Sequence, residues 1–128
     1  MDEGTALLKE RVDAYISELA SLVKQDSPEA LSEYLNACWE IEVTYNLQGE
    51  YTRLSLTANG GSYIYITHHR SQPWATISGS WGGSHYQDYL NADISQALWN
   101  QAERLAELAT YAIQARSKNP GSKGAQEN

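Results

Sequence analysis

Apolar residues at the start of the chain recur every three or four positions. Leu8, Val12, Tyr15, Ile16, Leu19 and Val23 fall on one face of a 3.6-residue period and predict an amphipathic helix over residues 5–24. The pattern breaks at "KQDSPEA". There Ser27 is a good N-cap, Pro28 suits the first helical position and Glu29 complements the helix dipole. A second, shorter helix is expected from Pro28 to about residue 37, with Leu31, Leu35 and Cys38 turned inward.

At "WEIEVTYNL" the period changes from 3.6 to 2. Trp39, Ile41, Val43, Tyr45 and Leu47 take one face of a strand, and Glu40, Glu42, Thr44 and Asn46 take the other. A second strand covers Tyr51–Ala58, with Leu54, Leu56 and Ala58 inward. "NGG" at 59–61 is a hairpin turn signal. A third strand is expected over Ser62–His68 and a fourth over Trp74–Ser80, with Ile64, Ile66, Ala75 and Ile77 inward. "HYQDYL" has the makings of a short fifth. Asp93 then caps a long helix to about Arg116, with Gln96 placed for a capping box. "SKNPGSKGAQEN" has no apolar core residue and reads as a disordered tail over 117–128.

A one-residue slip would reverse the faces of a strand, so apolar matching constrains the register. Val43 opposite Leu54, Leu56 opposite Ile64 and Ile66 opposite Ala75 give three plausible hairpins. The expected fold is a single two-layer α+β domain over residues 1–116. A four-stranded antiparallel meander, with the short fifth strand as an extension, carries two N-terminal helices and one long C-terminal helix on one face. The other face then shows three rows: Thr44–Arg53–Thr67–Trp74, Glu42–Ser55–Tyr65–Thr76 and Glu40–Thr57–Tyr63–Ser78.

Composition sharpens this picture. The 128 residues include nine Tyr and four Trp but no Phe, so every large aromatic carries a polar atom that seeks a partner when buried. That places many of them at the rim of the core or on a surface. The single cysteine excludes an intrachain disulfide and, with no signal-peptide pattern at the N-terminus, favours a cytoplasmic setting. No apolar run is long enough for a membrane span.

The net charge of −7 is unevenly spread. Residues 1–50 hold 11 acids and three bases, residues 51–87 hold two bases and no acid, and the remainder is nearly neutral. Clustered Lys and Arg, which phosphate-backbone binding requires, are absent, so direct nucleic-acid binding is not expected.

Catalytic and metal constellations are poorly represented. His68 and His69 are adjacent, and adjacent strand residues point to opposite faces. His85 has no Cys or carboxylate near it at ligand spacing. No Gly-x-Ser-x-Gly elbow occurs, and "GSWGGS" lacks the Lys-Ser/Thr of a phosphate loop. No metal or cofactor is expected.

Two contact surfaces remain. One is the sheet face with Arg53, Tyr63, Tyr65, His69 and Trp74, side chains of the types that dominate interfaces. The other is an acidic surface of Glu10, Asp13, Glu18, Asp26, Glu29, Glu33, Glu40 and Glu42, which either forms solvated helix faces or imitates a phosphate track. A homodimer through the sheet face is a further reading.

The short acidic chain, the helix–meander–helix order, and "NGGSYIYI" followed by "SGSWGGS" resemble, in overall plan, small accessory proteins of phages and mobile elements, including anti-restriction and anti-CRISPR inhibitors. The resemblance implies a non-enzymatic protein that blocks a larger partner, such as a nucleic-acid-binding enzyme complex, by occupying it. The alternatives are a toxin-immunity or chaperone-like binding module, and a small ligand-binding domain or hydrolase built on His68, His69 and His85.

Overall fold

The computed structural model describes residues 2–59 and 63–108. The expected tail over 117–128, the end of the last helix and most of the "NGG" turn lie outside them.

Helix α1 spans Glu3–Lys24 and α2 spans Pro28–Cys38. Asp2 caps α1 by accepting the Thr5 N–H at 2.6 Å, and that hydrogen bond holds its carboxyl below the usual range. Ser27 caps α2 through the Ala30 N–H, as its sequence predicts. Five strands follow: β1 Trp39–Tyr45, β2 Tyr51–Ala58, β3 Ile64–His69, β4 Thr76–Trp81 and β5 Ser84–Tyr89. They form one antiparallel sheet in the order β1-β2-β3-β4-β5. Helix α3 is described over residues 92–108. The architecture is the expected α+β arrangement, with the fifth strand a full member of the sheet. No helix among the described residues is long and apolar enough to cross a membrane.

Three local expectations are corrected. The first strand stops at Tyr45, and Leu47, expected inward, is fully exposed in the turn. There the Asn46 side-chain oxygen accepts the N–H groups of Gln48 and Glu50, each at 3.0 Å, a local turn that outcompetes strand extension. The cap of α3 is Asn91 rather than Asp93: its side chain accepts the Ile94 N–H at 2.8 Å. Gln96 does not form a capping box but donates to Asn100 at 2.9 Å. Leu90 is buried at the end of β5, and the chain turns directly behind it.

The third correction is register. Val43 opposes Leu54 as expected, but Leu56 opposes Ile66 and Ile66 opposes Ile77. The β2–β3 and β3–β4 hairpins are each two residues longer than anticipated, so the faces are preserved and the partners change. The slip gathers Ile41, Leu56, Ile66 and Ile77 into one row beneath the helices, which concentrates apolar burial.

Leu8, Val12 and Leu19 of α1, Leu31 and Leu35 of α2, and Ile94, Leu98 and Ala102 of α3 complete the core. Helix α1 lies so close to β4 that a Cβ on Gly79 would meet Ile64 Cδ1 at 2.8 Å and Leu8 Cδ2 at 3.0 Å. All three helices thus bury one face of the sheet.

Candidate functional site

The opposite sheet face carries no helix among the described residues. Its rows are Thr44–Arg53–His69, Glu42–Ser55–Thr67–Thr76–Tyr89 and Glu40–Thr57–Tyr65–Ser78–Gln87. A further pair, Ser80–His85, lies at the end of the sheet, where the Ser80 N–H donates to the Tyr63 carbonyl at 3.0 Å. The three rows expected from the sequence are therefore replaced. Tyr65 neighbours Thr57 and Ser78, and His69 takes the place beside Arg53 that Thr67 was expected to hold. Trp74 leaves the sheet for the connection between β3 and β4.

Exposure is concentrated on aromatic side chains. Tyr63 is 49% exposed, Tyr65 39%, Trp74 47%, Trp81 59% and Tyr89 63%. Of these, Tyr65 and Tyr89 stand on the helix-free face. Tyr63 precedes β3, Trp74 is in the β3–β4 connection, and Trp81 alternates with Ile77 and Gly79 on the helix side at the end of the sheet. The Tyr63 and Trp81 rings touch, with centroids 5.2 Å apart. Arg53 is half-buried and donates to the Thr44 hydroxyl at 3.3 Å, while its Nε is buried without a partner.

Trp81, Gln87 and Tyr89 are absent from the sequence-derived candidates, and His85 enters them only through the ligand-binding or hydrolase alternative. The signal that marks them is "WGGS". Gly82 and Gly83 have φ of 51° and 89°, the two positive values of a type I′ hairpin turn, and Gly-Gly between strand-like residues is a known sign of that turn. Read as a two-residue turn, it would have aligned β5 against β4.

The acidic candidates are not brought onto one surface. Glu10, Glu18, Glu29 and Glu33 are exposed on α1 and α2, and Asp26 follows α1 in the left-handed region at φ 54°. Asp13 is engaged by Lys9 at 2.6 Å. Glu40 and Glu42 stand on the helix-free face of β1, because Trp39 and Ile41 turn toward the core. The eight carboxylates are split between two layers.

The three imidazoles do not converge either. His69 is on the helix-free face, and His85 accompanies Ser80 at the hairpin end, with Nδ1 3.1 Å from Oγ. His68 points the other way and is 5% exposed. Its Nε2 lies 3.1 Å from the Gln72 carbonyl, its ring meets Trp99 edge-on at 4.9 Å, and Nδ1 has no partner. Among the described residues no group of three or more His, Cys, Asp or Glu side chains is placed to hold a metal ion.

Burial lowers the His68 pKa from its ordinary 6.5. The folded state therefore binds fewer protons at this site than the unfolded chain just below that value. Stability is expected to fall as pH drops through about 6.5 toward the lowered folded value, at about 1.4 kcal/mol per unit of displacement. Asp2 and Glu50, whose pKa values are also lowered by hydrogen bonds, lose their contributions in the more acidic carboxylate range. Thermal melts between about pH 5 and about pH 7.5 should show the slope, and His68→Gln should flatten it. An unchanged slope in the variant would assign it elsewhere.

Compared with known proteins, the chain matches no family model, no curated protein and no solved structure.

Proposed function

We propose that the chain is a small non-enzymatic protein-binding module that inhibits or adapts a larger partner by covering it with the helix-free sheet face. The observation that carries this reading is the uncovered sheet face bearing Tyr65 and Tyr89 in water, with the exposed Tyr63–Trp81 ring pair at its end. Rigid rings on paired strands lose little conformational entropy on contact, and Tyr, Trp and Arg supply most hot-spot energy in interfaces. Ser, Thr and Gln between them offer adaptable hydrogen bonds. The resemblance of the chain's overall plan to small phage-type anti-defence inhibitors implies a protein that blocks a larger partner by occupying it. The separation of the three histidines over both faces supports a role without catalysis.

Occlusion through an acidic phosphate mimic is the weaker reading, because its eight carboxylates are divided between the layers. The two are separable by capture of the partner on the tagged full chain. Tyr65→Ala combined with Tyr89→Ala is expected to weaken binding by about 100-fold, whereas Glu29→Lys with Glu33→Lys should change it by less than about twofold. The reverse pattern, or steep weakening with salt, would favour the acidic helices and refute the sheet face.

A further inference from the structure

We propose that the end of the β4–β5 hairpin receives a proline-rich segment of the partner in the polyproline II conformation. This rests on the protein-binding reading above and adds the chemistry of what is bound.

The site is an open depression of about 590 Å³ beside Tyr63, Ser80, Trp81, His85 and the Gly82-Gly83 turn. Its apolar part is the Tyr63–Trp81 ring pair, and the two glycines leave the approach free of side chains. Among the described residues, its lining holds no Asp, Glu, Lys or Arg side chain. The Asp2 carboxylate, which meets the lining residue Ser84, accepts both the Thr5 N–H and the Ser84 hydroxyl. Nothing here selects a charged segment, in a chain whose net charge is −7.

The polar groups around the rings are rich in donors. The Tyr63 and Ser80 hydroxyls and the Trp81 indole N–H can all donate. The Ser80 hydroxyl has one hydrogen: when it donates to His85 Nδ1 it is not available to a ligand, and the imidazole, with its proton on Nε2, is the donor in its place. A segment that offers apolar rings and carbonyl acceptors, with few N–H donors of its own, complements this set. Proline-rich chains have that chemistry, and they enter binding already extended, so little ordering entropy is lost. Aromatic-lined grooves on small domains take such segments in this way.

Other peptide geometries fit less well. The Leu90 N–H donates to the Ala75 carbonyl at 2.9 Å, so the even-numbered residues of β5 bond to β4 and the odd ones face the free edge. On that edge the Tyr89 N–H is taken by the Asp88 carboxylate at 2.8 Å, which blunts strand addition. A docking helix needs a row of apolar sites along its length, and here one ring pair stands alone.

The test is an NMR titration of the full chain with a blocked proline decamer, with a Gly-Ser decamer as control. The Trp81 indole signal is expected to shift saturably with the proline peptide only. Trp81→Ala should weaken binding by about tenfold or more, Tyr63→Leu by a smaller factor, and Asn36→Ala, exposed on α2, not at all. Raising salt from about 50 to about 500 mM should change affinity less than about twofold, because the site is uncharged. No Trp81 shift at millimolar peptide, an equal shift with the Gly-Ser decamer, or binding that survives Trp81→Ala would each overturn the proposal. If the partner is still lost on Tyr65→Ala with Tyr89→Ala while the decamer is silent, this inference alone fails. If neither surface responds, the protein-binding reading falls with it.

Discussion

Ile66→Ala is expected to lower the unfolding free energy by about 2–5 kcal/mol, the range for truncating a buried branched side chain. Ile66 is fully buried on the central strand and sits between Leu56 and Ile77. Both strand neighbours are held by their own partners, and helices cover the row from above. The site can collapse little, and the cavity penalty adds to the lost transfer energy. A domain of this size has a total stability of roughly 5–15 kcal/mol, so the variant should approach the unfolding threshold. A urea titration should show a lower midpoint with an unchanged slope. Leu47→Ala removes a similar side chain from full solvent exposure and should shift stability by less than about 0.5 kcal/mol. Equal effects at the two positions would contradict the placement of the core.

Ser95→Ala should cost about 2–4 kcal/mol, although it removes one oxygen. Ser95 is completely buried near the start of α3. Its hydroxyl accepts the Ala75 N–H at 2.8 Å and donates to the Leu90 carbonyl at 3.2 Å. Deleting it strands two backbone groups away from water, and each carries its own desolvation penalty. The same oxygen ties the connection that holds Trp74 to α3. Amide exchange at Ala75 should therefore quicken beyond what global destabilisation accounts for. Ser55→Ala, on the helix-free face, is the control and should be nearly neutral. Exchange at Ala75 that tracks global unfolding alone would show that the hydroxyl does not act as a local tie.

The alternation in "WEIEVTYNL" and the three- and four-residue spacing from Leu8 to Val23 already contain the two layers. Parity along each strand separates Leu54, Leu56, Ile64 and Ile66 from Arg53, Ser55, Tyr63 and Tyr65, because a side chain can only go up or down from a pleated strand. Parity leaves open a slip of two, and that is where the expected rows failed. His69 rather than Thr67 stands beside Arg53, and Trp74 is in a loop. Trp81 and Tyr89 were legible only to a reader who took Gly82-Gly83 as a two-residue turn.

The one-dimensional pattern of this chain determined its element types, its antiparallel order, the opposite facing of His68 and His69, and a charge-poor aromatic segment. Periodicity and turn chemistry are local, and they act before any distant contact forms. Only the folded molecule decided the even-numbered slips, the Asn91 cap, the Ser95 bridge, and the meeting of Tyr63 with Trp81. Each of these depends on which long-range packing buries the most apolar surface while pairing every buried backbone group, a balance that no single segment contains.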